Sequence, residues 1–361
     1  MKKIIGVLLS LVLLISVVGC SGEPDNGADT NGSQEEAGSI TKLGLGTVVS
    51  IANSEEAEEG KEAKSQADVT IAAVGFDDDG KIQSVTVDVA QTQVEFDSDL
   101  KVVSDLDKEY KTKHELKEDY GMKDVSEKIG IGKEWYEQMN AFQEWMVGKT
   151  VDEITSLEVK EVDEDHQSVP DVEELTSSVT IDVGDYIKAV EEAWENTKDL
   201  DGAEEVGLGV KTTINNSKGM KDDQNAYAQI DTAMASTAFD SEGNVVKTIM
   251  DVVQAKVEYD EEGKLITDLD KEIKTKHELK EEYGMKDVSE KIGIGKEWYE
   301  QMNAFEEWME GKSVDEITSL EVKEVDEDHQ SVPDVEELTS SVTIDVGDHL
   351  EVIKKASENA K

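Results

Sequence analysis

The chain has 361 residues, with 85 Asp and Glu against 36 Lys and Arg, and a formal charge of −49. All of the basic residues are lysines, so there is no bidentate guanidinium clamp, and so acidic a surface repels nucleic acid and anionic headgroups. Cys20 is the only cysteine, which excludes an intrachain disulfide and leaves the fold to core packing.

Lys2 and Lys3 precede an apolar run over 4–18. The run is shorter than the ~18 residues of a membrane-spanning helix, so residues 1–19 read as a signal peptide. Val17-Val18-Gly19-Cys20 has the form of a lipobox. Cys20 is therefore the expected lipidation site, and acyl chains (palmitate or a similar fatty acid) would hold the mature protein on the outer face of the cytoplasmic membrane, outside the cell. Residues 20–42 are Gly-, Ser-, Asp- and Glu-rich with almost nothing apolar, and read as a flexible acidic tether.

Gly44-Leu45-Gly46 lacks the third glycine of a dinucleotide-binding motif and reads as a turn before a strand. Strands follow over 47–51, 68–76 and 82–89, the last two joined by a hairpin turn at 77–81. Helices come next. Over 133–147, Trp135, Met139, Phe142 and Met146 recur on one face. A short helix over 151–157 starts at Thr150 with two acids in its first turn, and a last helix over 186–197 has Asp185 as candidate N-cap. The residues 199–205 read as a linker.

The chain then repeats itself. Shifted by 163 residues, 111–185 matches 274–348 with four differences: Asp119/Glu282, Gln143/Glu306, Val147/Glu310 and Thr150/Ser313. Upstream, 44–110 against 207–273 keeps 25 of 67 positions. The sharp contrast either marks the working half of the unit or records a recent recombination. The strands of the second copy fall over 228–239 and 245–252, joined at 240–244. The expected class is α+β: two tandem copies, 43–198 and 206–361, of a domain with a curved antiparallel sheet followed by packed helices.

Catalytic constellations are not recognisable. The five histidines, His114, His166, His277, His329 and His349, have no zinc-ligand spacing, and His114 among lysines and glutamates reads as solvated. Asp163-Glu164-Asp165-His166 reads as an acidic loop, since it lacks the glycine and the later bidentate Glu of a calcium loop. Trp135 and Phe142 are spaced for a core face, whereas Tyr136 and Trp145 (Trp308 in the second copy) lie off that stripe and could stack on a flat ring. Four hydroxyl residues, Thr176, Ser177, Ser178 and Thr180, stand just before the last helix; a strand edge or cap suffices to explain the first two.

The segment Glu174-Leu175-Thr176-Ser177-Ser178-Val179-Thr180 resembles the flavinylation signature of extracytoplasmic FMN-binding domains: an acid, two spacers, then Ser, Gly, Ala and Thr before a helix. Glu174 stands for the acid, Ser177 for the Ser and Thr180 for the threonine that carries FMN; Glu337, Ser340 and Thr343 stand so in the second copy. Ser178 and Ser341 replace the glycine, so a hydroxyl would have to serve the phosphate where close backbone approach is lost. With the lipobox and tether, the segments 115–123, 130–135 and 176–185 are similar to the PplA-type pheromone lipoproteins of Gram-positive bacteria.

That resemblance implies two covalent FMN groups per chain, attached by an ApbE-type flavin transferase. It also implies a non-enzymatic electron carrier between a membrane quinone or NADH oxidoreductase and external small-molecule or metal acceptors. Met122, Lys123 and Lys133, with Tyr120 and Gly121, are then expected beside the ring or phosphate, as are Met285, Lys286 and Lys296 in the second copy; Lys133 opens a helix, where phosphate is welcome. A non-redox binding or adhesion lipoprotein is the alternative from another class, and 13–19 could be released as a signalling peptide.

Overall fold

The computed structural model describes residues 39–361, apart from 129, 164, 165, 222, 223, 292, 327 and 328. The signal segment, Cys20 and most of the tether lie outside these residues.

The first copy opens with three long antiparallel strands, β1 (Ile40–Ser50), β2 (Lys64–Phe76) and β3 (Ile82–Glu95). The β2–β3 turn closes on Asp77, whose carboxylate accepts the amides of Asp79 and Lys81. Next come α1 (Lys113–Leu116), a 3₁₀ turn (Lys117–Tyr120), α2 (Lys123–Lys128), α3 (Trp135–Met146) and α4 (Val151–Thr155). A two-residue pair, β4 (Val159–Lys160) and β5 (Val169–Pro170), leads to α5 (Glu173–Thr176), α6 (Gly184–Glu195) and β6 (Lys198–Ala203). The second copy runs through β7 (Glu205–Thr213), β8 (Ala226–Phe239), β9 (Val245–Tyr259), α7 (Lys276–Leu279), a 3₁₀ turn (Lys280–Tyr283), α8 (Lys286–Lys291), α9 (Trp298–Met309) and α10 (Val314–Thr318). It ends with β10 (Val322–Lys323), β11 (Val332–Pro333) and α11 (Gly347–Glu358). The class is α+β, with antiparallel sheets and helices.

Strand periodicity explains the layering. The described residues form one compact unit. In β2, Val69, Ile71 and Ala73 point to one face, and Ala72, Val74 and Phe76 to the other. The first set joins Leu43 and Leu45 in a core shared with Leu208, Val210, Ile230 and Met234 of the second sheet. The second set packs on Trp135, Met139, Phe142 and Met146 of α3 and on Ala189, Val190 and Ala193 of α6. The second sheet is covered likewise by α9 and α11. Two sheets therefore lie face to face, with helices on each outer side. The helical stripe over α3 and the Thr150 cap of α4, reciprocated by Glu153, are as the sequence led us to expect.

Four expectations need correction. Residues 40–42 belong to β1 and not to the tether. The supposed linker 199–205 is mostly β6, paired with β1 through Lys42↔Asp199 and Leu43↔Lys198, and β7 begins at Glu205. Its acidic composition hid the ladder because its side chains alternate between partly buried and exposed. The last helix starts at Gly184, and Asp182, not Asp185, serves its amino end by accepting the Gly184 amide at 2.9 Å. Gly44-Leu45-Gly46 is no turn but mid-strand.

The glycines are needed because β1 lies directly against α6. A Cβ at Gly46 would stand 1.9 Å from the Ala189 carbonyl oxygen, and one at Gly44 2.2 Å from that of Ala193. Gly209 and Gly207 meet Val352 and Ala356 of α11 in the same way. The obstacle is helix backbone, which cannot swing aside as a side chain could. Gly46→Ala should therefore destabilise the protein by about 1–3 kcal/mol, the usual cost of overpacking. Urea unfolding measures this, and an unchanged midpoint would refute the close strand–helix contact.

Candidate functional site

Each copy carries a cleft at the same place. The first, about 500 Å³, is lined by Asp68, Gln91 and Lys113, by Ser168, and by Asp182 and Tyr186 at the start of α6. The second, about 750 Å³, is lined by the equivalent Asp231, Gln254, Lys276, Ser331, Asp345 and His349, and also by Tyr283, Met285, Trp298 and Ile344. Volumes of roughly 300–1,000 Å³ are those of small-molecule sites. Lys113 and Lys276 set a cation in each cleft, held over aromatic rings: the Lys113 Nζ is 5.0 Å from the Tyr120 ring centre and 5.7 Å from that of Trp135. Burial draws the Lys113 ammonium down, but the Tyr186 and Tyr120 hydroxyls and Asp68 leave it above its ordinary value, so it stays charged.

Thr180 and Thr343 do not line the clefts themselves but stand two residues before Asp182 and Asp345, which do, and each is clamped by one glutamine. The Gln138 Oε1 accepts the Thr180 amide at 2.9 Å and its hydroxyl at 3.2 Å; the Gln301 Oε1 accepts those of Thr343 at 2.9 and 3.1 Å. Both glutamines are fully buried, and their amide nitrogens reach Met122 Sδ and the Lys133 carbonyl, or Met285 Sδ and the Lys296 carbonyl. The loop that carries them is pinned from below. The buried Glu134 carboxylate accepts the Met122 and Lys123 amides at 2.9 and 3.2 Å, and Ser126 Oγ accepts the Lys133 amide at 2.8 Å and donates to its carbonyl at 2.6 Å. Glu297 and Ser289 repeat this arrangement. A buried acceptor left unmatched costs about 1–3 kcal/mol, so each clamp is strongly specified once formed.

The structure thus joins Thr180, Met122 and Lys133 in one network, and Thr343, Met285 and Lys296 in the other. The remaining candidates are more scattered. Lys123 and Lys286 are exposed, as are Ser177, Ser340, Glu174 and Glu337. The Ser178 and Ser341 hydroxyls donate to the Leu175 and Leu338 carbonyls, each at 3.2 Å, so their protons are already engaged. The amino end of α3, where Lys133 was expected to welcome phosphate, is served by its own carboxylates in a Glu134–Glu137 capping box. Trp145 and Trp308 line neither cleft: Trp145 stacks on Phe142 at 5.8 Å and 9°, with the Lys149 ammonium 4.5 Å over its ring. Tyr136 turns to Glu118, donating its hydroxyl at 3.0 Å.

Sequence reasoning missed Gln138, Lys113 and Asp182 with their copies. Gln138 lies one position before Met139 of the helix stripe, a polar residue on the edge of an apolar face, and that was the available signal. His114 is not solvated. It is half-buried, 6.2 Å from the Trp135 ring, and burial lowers its pKa. His166 does lie in an exposed loop, its Nδ1 2.6 Å from Asp163; Glu164 and Asp165 lie outside the described residues.

Beneath each cleft wall is a buried carboxyl. Asp88 accepts the amides of Val89 and His114, and Asp251 those of Val252 and His277. Burial pushes each up to about 7 despite these bonds. Glu192 of α6, which accepts the Thr47 amide at 3.1 Å, is pushed by burial to about 7 as well. A carboxyl whose folded pKa exceeds its unfolded value keeps protons that the unfolded chain has released, so its stabilising effect is lost as pH rises through the folded pKa. His277 and His349, which burial lowers to about 4 and about 3, oppose this only below their unfolded value near 6.5. Stability should therefore fall between pH 6.5 and 8. The Asp88→Asn/Asp251→Asn protein, which keeps the acceptors, should show a flatter fall in chemical denaturation, and an equally steep one would sink the assignment.

No protein-family model matches the chain, and no curated protein or solved structure matches it either.

Proposed function

We propose that the chain is a lipid-anchored extracellular electron carrier, a duplicated domain holding one FMN per copy through phosphoesters to Thr180 and Thr343. The observation that carries this reading is the repeated clamp: the two threonines that match the signature are the two held by buried glutamines, two residues before the aspartates that line a lysine-bearing cleft. Flavin bound there supplies reversible one- and two-electron chemistry.

The chain's own groups suit that role. Esterification removes the Thr180 hydroxyl proton, and the 2.9 Å bond from its amide still fixes Gln138, so the clamp survives modification. Lys113 brings the positive charge that an anionic ligand needs on a chain of net charge −49. Tyr283 and Trp298 present aromatic surface in the second cleft. An ApbE-type transferase would make the bond, a membrane quinone or NADH oxidoreductase would deliver electrons, and external small molecules or metals would take them. A non-redox binding lipoprotein is the second reading, favoured by the engagement of the Ser178 and Ser341 hydroxyls with backbone where the signature has glycine.

Coexpression of the full chain with a flavin transferase should give a yellow protein whose intact mass is raised by two FMN units. Thr180→Ala and Thr343→Ala should each remove one unit, and the double variant both, with the far-UV spectrum unchanged. A colourless, unmodified parent overturns the carrier reading; a double variant that keeps its flavin shows that other residues bear it.

A further inference from the structure

The two clefts share most of their lining; they differ at Ser50/Thr213, Thr70/Ala233 and Lys188/Glu351, and, at a buried position in the first turn of the last helix, in a titratable ring. In the first, the Tyr186 hydroxyl accepts a hydrogen bond from Trp135 Nε1 at 3.0 Å. In the second, the equivalent residue is His349, 5% exposed, with its ring 6.0 Å from that of Trp298. Its Nδ1 is buried and has no hydrogen-bond partner among the described residues. An imidazole can accept a proton near neutral pH, whereas a buried phenol cannot.

We propose that His349 makes the clefts unequal, taking up a proton when the ring held at Thr343 is reduced, a step with no counterpart at Thr180. The inference rests on the flavin reading above. For each ring reduced, two electrons from the donor and one proton enter the ring. One further proton, drawn from solvent, adds to the His349 imidazole to give imidazolium.

The surroundings explain why the proton arrives only with the electrons. Burial, and then Lys276 of α7, hold the imidazole down at about 3, with Asp345 acting weakly the other way. Asp345 is committed to the Ser331 and Gly347 amides, and Asp348 and Glu351 are paired with Lys211 of β7 at 2.8 and 2.5 Å. His329 is held by Asp326, its Nδ1 2.7 Å from the carboxylate. Tyr283 and Trp298 add no formal charge. Asp231, the other carboxylate of the cleft, accepts from the Asn216 and Gln229 side-chain amides. Among the described residues each carboxylate lining the cleft is thus engaged elsewhere in the resting state, and the negative charge that accompanies reduction would act against both burial and Lys276 and favour the imidazolium.

The test uses the full chain flavinylated at one site only, through Thr180→Ala or Thr343→Ala, in spectroelectrochemical titrations with dithionite from pH 6 to 8. One extra proton per two electrons is a tenfold change in the equilibrium per pH unit, or about 30 mV. The midpoint of the chain loaded at Thr343 should therefore fall by that much more per pH unit than that of the chain loaded at Thr180. His349→Tyr should remove the excess, and Tyr186→His should create it in the first cleft. Imidazole NMR of the chain loaded at Thr343 should show His349 neutral at pH 7 when oxidised and protonated when reduced. Equal slopes in two flavin-bearing chains, or a slope indifferent to both swaps, overturns the inference while leaving the carrier intact. Absence of flavin from both chains overturns the carrier reading and this inference with it.

Discussion

Everything near the clefts depends on how closely one helix lies on one strand. With Gly44 and Gly46 facing it, the backbone of α6 comes to the surface of β1, and α11 meets β7 over Gly207 and Gly209. The approach fixes where each helix begins. It sets Asp182 and Asp345 at the cleft edge and places Tyr186 and His349 in the cleft wall. It also lets Glu192 reach the Thr47 amide. A methyl group at any of these glycines would lift the helix and move the cleft wall with it.

The two halves of the repeat do different physical work, and their divergence follows that division. The loosely matched half builds the strands whose inner faces meet in the shared core, where each sheet must fit the other. The nearly identical half builds the clamp and much of the cleft wall. Its four differences are absorbed locally. Gln143 and Glu306 both accept a strand amide, from Val87 and Met250, and the extra carboxylate oxygen of Glu306 takes the Lys198 ammonium at 2.7 Å. Glu310 pairs with Lys247, Thr150 and Ser313 cap their helices alike, and Asp119 and Glu282 are both exposed. Breaking the buried Glu306–Lys198 pair would strand a charge in the interior, so the substitution at 306 is tied to a lysine from the other copy.

Much of this was legible in the sequence wherever a single period governs a segment. The stripe from Trp135 to Met146 and the hairpin at Asp77 follow from local rules. The face-to-face sheets were not legible, because strands buried on both sides lose their alternation: β2 is buried at every position from Val69 to Phe76, and none marks a solvent face. β6 reads as a linker in the sequence because one of its faces is wet and acidic, and its hydrogen bonds to β1 are long-range in the chain. The clamp escaped notice since a glutamine in a helix carries no pattern until Thr180, 42 residues away, is brought to it. His114 looked solvated among lysines and glutamates, yet a four-residue helix turns its ring toward Trp135.

The shared core also sets the spacing of the two clefts. Tandem units on a pliable joint would sample many separations, and transfer between groups they carry would wait on chance encounters. Here the sheets are packed together, the strand β6 ties the first copy's last helix back into its own sheet, and Lys198 reaches across to Glu306. Any two groups held in the clefts keep one distance and one orientation. On the proposed carrier reading, transfer between two flavins held there would depend on that fixed geometry and not on chance encounters of the two units.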